Sequence, residues 1–257
     1  MNNIQGKEGF IFNNYSLAGT KGKEYERQYF SDENAKRIDA IRMTIEEWKN
    51  KKLINENEYA FLVASLIESA DKVANTASVY EAFLKKLKSS ACKKLDFKPV
   101  EIIVNDKCKL LKTYNQDCNS LIDNIYGDIL YIDPPYNTRK YNTNYHILET
   151  IALYDNPKIK GKTGIRIEEN KKSKFCIKKE AKYALEDLIK NAKFKYILLS
   201  YNDEGIVSLN EIEEIMSKYG EYKKYEKVHK RFKADNKRNY LKDTTIEYIH
   251  CLKKIKK

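Results

Sequence analysis

The spacing of apolar residues changes near Lys98. Before this point apolar side chains recur every three or four residues, which predicts helices. One predicted helix begins at Ser31 and carries Ile38, Ile41, Ile45 and Trp48, and two more span about 57–72 and 79–88. The first 31 residues are polar and hold four of the nine glycines, which predicts loops. Residues 1–98 are therefore expected to form a helical module.

After Pro99 the apolar residues fall into short runs separated by helical patterns. The runs predict strands, and the longer periodic stretches predict helices. The strands are expected at 102–104, 110–114, 129–132, 196–199 and 245–251, and the helices at about 145–154, 178–191 and 209–218. This alternation predicts an α/β fold with a mostly parallel sheet over residues 99–257. The segments 223–229 and 245–251, on either side of a basic loop, predict an antiparallel hairpin.

The chain is strongly basic. Lysine and arginine number 49 against 37 acidic residues, a formal charge of +12, and 20 tyrosines are interspersed with them. A chain of this charge is expected to attract polyanions in a salt-dependent way. The alternative is a lysine-rich surface that is simply solvated, so the charge favours a nucleic-acid partner without identifying one.

The cysteines and histidines indicate no metal site or disulfide framework. The five cysteines form no Cys-x-x-Cys pair, and the three histidines lack the spacing of metal ligands. No apolar run is long enough for a signal peptide or a membrane span. Reduced thiols in a cytoplasmic protein, with no metal and no membrane partner, are therefore expected. The cysteines are Cys92, Cys108, Cys118, Cys176 and Cys251.

The most informative segment is Asp133-Pro134-Pro135-Tyr136, which follows the apolar run from Asp128 to Ile132. Adjacent prolines end a strand because they fix φ and cannot donate to a sheet. Ligands of open α/β sheets bind at such carboxyl ends. The Asp133 carboxylate and the Pro134 carbonyl can both accept from a planar amine, and Tyr136 offers a ring for stacking. The segment predicts a site for a nucleobase amino group; the alternative is a surface turn.

With this tetrapeptide the chain resembles the adenine-specific DNA methyltransferases of bacterial restriction-modification systems. Four further segments are similar to that family: 137–150 after the catalytic motif, 200–205 beside the base pocket, 114–118 as an acidic cofactor loop, and 231–245 as a late basic loop and hairpin. The resemblance implies a Rossmann-like methyltransferase sheet, S-adenosylmethionine as cofactor and double-stranded DNA as substrate. It also implies that the target adenine is flipped out of the duplex, because a stacked base cannot reach such a pocket.

The resemblance assigns a role to each candidate residue. Asp133, Pro134, Pro135 and Tyr136 are the expected catalytic residues. Asn137, Arg139, Lys140, Asn202, Arg231 and Lys233 are the expected substrate contacts, and Asp117 is the expected cofactor contact. Asn137 and Asp117 fit equally well as turn residues, and the lysines as solvated charges. Residues 1–98 are expected to be the target-recognition module, with 13–29 as a mobile basic and aromatic loop.

One departure from the family concerns the cofactor. The family binds S-adenosylmethionine through a Phe-x-Gly-x-Gly turn after the first strand, and this sequence contains none. The chain is therefore expected to be the carboxyl-terminal part of a split or truncated enzyme with an incomplete sheet. A second polypeptide is expected to supply the amino-terminal cofactor-binding half. Alternatives are a non-catalytic DNA-binding or specificity subunit, or an amino methyltransferase that acts on RNA or on cytosine N4.

Overall fold

A computed structural model describes residues 1–77, 79–102, 111–138, 141–167, 173–230 and 244–255, without the side chains of residues 141 and 142. The chain divides into two compact units. The first unit comprises Met1–Lys109 and Tyr141–Glu169, and the second unit comprises Leu110–Lys140 and Asn170–Lys257. The chain therefore passes from the first unit to the second, back again, and once more to the second. The contiguous division predicted at residue 98 does not follow this path.

The first unit is mainly helical. Its helices are α1 (Phe10–Tyr15), α2 (Leu17–Thr20), α3 (Asp32–Asn50), α4 (Glu56–Lys72), α6 (Tyr141–Asn144) and α7 (His146–Leu153), and β2 (Ile159–Lys160) pairs antiparallel with β3 (Ile165–Arg166). The Ser31 hydroxyl caps α3 by accepting from Asn34 N–H, and Asn55 with Glu58 forms a capping box on α4. The predicted helices from Ser31 and over 57–72 are confirmed. No helix of the described residues is long and apolar enough to cross a membrane.

The prediction that the first 31 residues are loops is wrong, because they form α1 and α2 and enter the core. The carboxylate of Asp39, on α3, accepts hydrogen bonds from the backbone N–H groups of Gly9, Ile11 and Phe12 at 3.0, 2.9 and 2.8 Å. These bonds satisfy donors that the start of a helix otherwise leaves unpaired. The segment buries five large side chains, those of Ile11, Phe12, Tyr15, Tyr29 and Phe30.

The predicted helix over 79–88 is also wrong. Asn75 holds this segment in an irregular path: its side-chain amide donates to Leu84 O at 2.9 Å, and its Oδ1 accepts from Lys88 N–H at 3.0 Å. The backbone N–H of Leu84 donates to Asn75 O at 2.9 Å. These bonds occupy backbone groups that a helix over 79–88 would need for its own hydrogen bonds, so the segment does not form the predicted helix.

The segment 141–169 is bound to α3 by two side chains of that helix, Asp39 and Arg42, which lie about one turn apart. Arg42 is fully buried and donates to the carbonyls of Ile151 and Ala152 at 3.0 and 3.1 Å, at the carboxyl end of α7. The hydroxyl of Tyr154 donates to Asp39 at 2.6 Å. The Arg42 cation lies at the carboxyl terminus of α7 and the Asp39 carboxylate at the amino terminus of α1, and both charges complement the dipole of the helix that they face. These contacts explain why 141–169 belongs to the first unit.

The second unit contains a four-stranded sheet in the order β1-β4-β6-β5. Its strands are β1 (Tyr126–Ile132), β4 (Lys193–Asn202), β5 (Gly220–Lys230) and β6 (Thr244–Lys254), and its helices are α5 (Cys118–Leu121), α8 (Ala181–Asn191) and α9 (Leu209–Ser217). In the described part β1 and β4 are parallel, whereas β4–β6 and β6–β5 are antiparallel, so the predicted mostly parallel sheet is wrong. The predicted hairpin is confirmed as β5–β6.

Two of the predicted strands are not observed as predicted. Residues 111–114 form no strand, and 103–110, with Cys108, lie outside the described residues. The other four cysteines are free. The chain is thus an α/β protein in which most helices precede a mixed sheet.

The two faces of the sheet differ in their surroundings. One face carries Ile197, Leu199 and Leu252, which are buried in a core with α8 and α9. The register places Ile129 opposite Tyr196 and Tyr131 opposite Leu198 on the other face. Ile129 is 60% and Tyr131 58% exposed. β1 is also the outer strand, pairing only with β4 among the described strands. The sheet thus has one covered face and one open, partly apolar face.

Candidate active site

The candidate site lies where the parallel strands β1 and β4 end. Ile132 pairs with Leu199, so Asp133 and Ser200 continue side by side at the same edge of the sheet. Beyond the strands, the Ile206 N–H donates to Tyr136 O at 2.8 Å. The predicted motif and the predicted loop 200–205 are therefore neighbours, as is common for ligand sites in α/β sheets.

Asp133 and Tyr136 are both accessible at this edge. The Asp133 side chain is exposed, and no described residue hydrogen-bonds to its carboxylate. Pro134 is buried, Pro135 is half-buried, and Tyr136 is 37% exposed. The two prolines fix the backbone, and the Asp133 carboxylate and the Tyr136 ring remain open to a ligand.

Tyr201 supports the Tyr136 ring from within the second unit. The two rings pack edge to face with centroids 6.5 Å apart and an interplanar angle of 79°. Tyr201 is buried, which raises the pKa of its hydroxyl above the ordinary value, and that hydroxyl accepts from Val207 N–H at 3.2 Å. A Cβ on Gly205 would lie 2.0 Å from Tyr201 Cε1, so only glycine fits there. The sequence predictions placed Tyr201 in the segment 200–205 beside the base pocket but assigned it no role of its own.

The loop after β4 is held by its own polar side chains. Asn202 is buried, and its Oδ1 accepts from Glu204 N–H at 3.1 Å. The Asp203 carboxylate accepts from Thr245 Oγ1 at 2.7 Å and from Ile246 N–H at 3.1 Å, which ties the loop to β6. Asn202 thus shapes the turn, and its contact with the substrate stays a prediction. Asn137 directly follows Tyr136 and is half-buried, and its contact with the substrate also stays a prediction.

Asp117 is the amino-terminal cap of α5. Its Oδ1 accepts from Ser120 N–H at 3.1 Å, which is the ordinary role of aspartate at this position. The side chain is exposed, and its cofactor role stays a prediction. Arg139, Lys140, Arg231 and Lys233 lie outside the described residues, so the structure does not locate them relative to the motif.

An α/β sheet whose parallel strand ends in Asp-Pro-Pro-Tyr is the arrangement expected of a methyltransferase that acts on the exocyclic amine of a nucleobase. Comparison with known proteins identifies the family. The model of the D12 class N6 adenine-specific DNA methyltransferases matches residues 1–215. The chain belongs to this family, whose enzymes transfer a methyl group from S-adenosylmethionine to adenine in DNA.

Three relatives show how far the similarity extends. The chain is 50% identical over 250 residues to the type II methyltransferase M.NlaIII of Neisseria lactamica, covering 96% of this chain and 72% of the relative. It is 45% identical over 251 residues to the type II methyltransferase M.FokI of Planomicrobium okeanokoites, covering 96% and 37%. It is 38% identical over 242 residues to the modification methylase LlaI of Lactococcus lactis subsp. lactis, covering 89% and 38%. No solved structure matches the chain.

Proposed function

We propose that the Asp133 carboxylate and the Pro134 carbonyl hold the amino group of a flipped adenine, while Tyr136 stacks on its ring. The observation that supports this most directly is the joining of the two strand ends by the bond from Ile206 N–H to Tyr136 O. An adenine amine is a weak nucleophile because its lone pair is delocalised into the ring. Two fixed acceptors orient the amine and stabilise the charge that develops on it during attack.

S-adenosylmethionine supplies an electrophilic methyl group when bound. The described residues offer only part of a site for it, since the candidate Asp117 has one carboxylate oxygen engaged in capping α5. The residues of this chain act on the target base. They bind it, orient it and hold it outside the stacked bases of the DNA duplex. Asn137, Asn202, Arg139, Lys140, Arg231 and Lys233 are proposed as contacts to the base or the neighbouring phosphates.

The proposed stacking role of Tyr136 is tested by two substitutions. Tyr136→Ala removes the ring, and because stacking on a base contributes about 1 to 3 kcal/mol, we expect a loss of about fivefold to 150-fold in kcat/KM. Tyr136→Phe keeps the ring and is expected to stay within about threefold of the native enzyme. The measurement is methylation of duplex DNA, with 2-aminopurine fluorescence at the target position to report base flipping. Equal losses in both variants would assign the role to the hydroxyl instead.

We propose that the first unit contains the target-recognition module, with 1–98 as its main part. The loop 13–29 is not the mobile element that the sequence predicts, because Tyr15, Tyr29 and Arg27 are buried. Its accessible basic and aromatic part is limited to the exposed Lys21 and Lys23 and the half-buried Tyr25. The named relatives are type II methyltransferases or modification methylases, so we propose that this chain also serves a restriction-modification system, in the cytoplasm where DNA is accessible.

We further propose that a second polypeptide, carrying an amino-terminal cofactor-binding half, completes the sheet at β1. An unpaired edge strand with exposed apolar side chains is a template for strand addition, and proteins normally cover such edges. Tyr126 is 85% exposed on this strand, together with Ile129 and Tyr131. Added strands at this edge would extend the carboxyl-terminal side of the sheet, where Asp133 lies, into a full cofactor site.

Calorimetry with S-adenosylmethionine tests this proposal. The purified chain is expected to bind the cofactor weakly or not at all, and co-expression with a polypeptide corresponding to the unmatched part of M.NlaIII is expected to restore binding and methylation. Ile129→Lys provides a sharper test. The isolated chain is expected to tolerate a lysine at this exposed position, whereas the restoration of cofactor binding by the second polypeptide is expected to be lost, because the lysine would then be buried. Micromolar cofactor binding with DNA methylation by the chain alone would contradict the proposal.

A further inference from the structure

The β2–β3 hairpin of the first unit has a tight turn, residues 161–164, between its two strands. The strands pair through Ile159 with Arg166 and Lys160 with Ile165, and Gly164 N–H donates to Gly161 O at 3.1 Å across the turn. Gly161 and Gly164 both have φ of +66°, a conformation that residues with a Cβ rarely adopt. The turn therefore needs glycine at both positions.

The inner side of the turn is fixed by buried side chains. Arg27 is 7% exposed, and its guanidinium donates to Gly161 O at 2.9 Å and to Lys162 O at 3.1 Å. The hydroxyl of Tyr15 donates to Gly164 O at 2.9 Å. A Cβ on Gly164 would lie 2.9 Å from Arg27 Nε. Three carbonyls of the turn are thus satisfied from the core side, which holds the turn in one position.

The outer side of the turn is basic. Lys158, Lys160 and Lys162 are exposed, and no acidic residue lies between Asn156 and Ile167. None of the three lysines forms an ion pair with a described residue. Arg166 does not add to this surface, because its guanidinium is buried and pairs with Asp155 at 2.7 Å.

The neighbouring exposed segment is less suited to bind an anion. In this segment, residues 21–26, Lys21 and Lys23 are followed directly by the exposed acids Glu24 and Glu26. Lys23 Nζ is moreover bound to Asn13 O at 2.6 Å. Of these two described segments, the hairpin turn therefore carries the larger net positive charge.

We propose that the hairpin turn, residues 158–163, binds the phosphate backbone of duplex DNA. This rests on the proposed function, in which DNA is the substrate. Lysines on a turn that is already fixed in place lose less conformational freedom on binding than lysines on a mobile loop. A Cβ on Gly161 would meet nothing within 4 Å, so the turn has open space on this side in which a DNA strand can approach the backbone. Contacts of this kind position the protein on DNA without reading sequence.

The test compares two double variants of the full chain. K160A/K162A removes two turn lysines, and K178A/K179A removes two exposed lysines of the second unit, outside every segment proposed to contact DNA. Binding to a fluorescein-labelled duplex is measured by anisotropy over a salt series. If two phosphate contacts are lost, the slope of the logarithm of the association constant against log salt is expected to become less negative by about 1.8. The Kd at about 0.15 M salt is expected to rise on the order of 30-fold. The control is expected to change the Kd by less than about threefold.

Each outcome of this experiment decides one point. Equal slopes for the turn variant and the control would overturn the phosphate contact. A loss of affinity that depends on the DNA sequence would assign the lysines to base edges and also overturn it. A native chain that binds no DNA would instead count against the proposed function. Because all four substituted side chains are exposed, thermal unfolding of both variants is expected to match the native chain.

Discussion

Replacing Asp133 with alanine is expected to lower methyl transfer by about 10³-fold or more, because it removes the acceptor proposed for the reacting amine. DNA binding is expected to stay within about twofold, since affinity for DNA comes mostly from phosphate contacts. The side chain is exposed, so the fold is expected to be unaffected. The measurements are single-turnover methylation at saturating DNA and anisotropy with the same duplex.

Asp133→Asn serves as the matched comparison. It keeps one acceptor oxygen and the shape of the side chain but loses the charge, so an intermediate loss is expected. Turnover near the native value in Asp133→Ala would show that the carboxylate is not the acceptor. A parallel loss of DNA affinity would indicate a binding role rather than a role in the reaction.

Replacing Asp39 with alanine is expected to lower the free energy of unfolding by about 3 to 5 kcal/mol. The change leaves three buried backbone N–H groups and the Tyr154 hydroxyl without an acceptor, and each unsatisfied buried donor costs about 1 to 3 kcal/mol. The loss is smaller than the sum of four such costs because the carboxylate itself no longer has to be desolvated. Urea unfolding followed by circular dichroism measures the difference.

Asp32→Ala is the control for Asp39. It lies on the same helix and its carboxylate also accepts from a backbone N–H, that of Ala18 at 2.8 Å, but at an exposed position. We expect a loss of no more than about 1 kcal/mol there, because water replaces the missing acceptor. Similar losses at both positions would show that the buried bonds of Asp39 contribute no more than an exposed one.

The parts of the structure that were predicted correctly depend on local signals. The helix from Ser31 has its cap and its apolar stripe in sequence, and β1 ends where two prolines require it to end. The parts that were predicted wrongly depend on distant partners. Helix α1 needs the carboxylate of Asp39, and the irregular path of 79–88 needs the side chain of Asn75. Neither interaction leaves a periodic trace in the sequence.

In the candidate site, too, the features with a local sequence signal were predicted, and those that depend on distant residues were not. Asp133, Pro134, Pro135 and Tyr136 form one contiguous signal, and the chain's membership of the adenine methyltransferase family agrees with the function inferred from them. The pairing of Tyr136 with Tyr201 could not be read from the sequence, because it depends on the parallel register of β1 and β4. The strand order also decides which face of the sheet is open, and alternation along single strands carries no information about that order.

The return of the chain to the first unit limits how the proposed recognition module can be exchanged between relatives. A graft of residues 1–98 alone would omit α7 and the β2–β3 hairpin. Arg27 would lose two carbonyl acceptors, those of Gly161 and Lys162, and Arg42 would lose the carbonyls of Ile151 and Ala152. An exchangeable piece must therefore be discontinuous, with 141–169 transferred along with the amino-terminal helices. The same path means that the first unit cannot finish folding during synthesis until the catalytic motif has already left the ribosome.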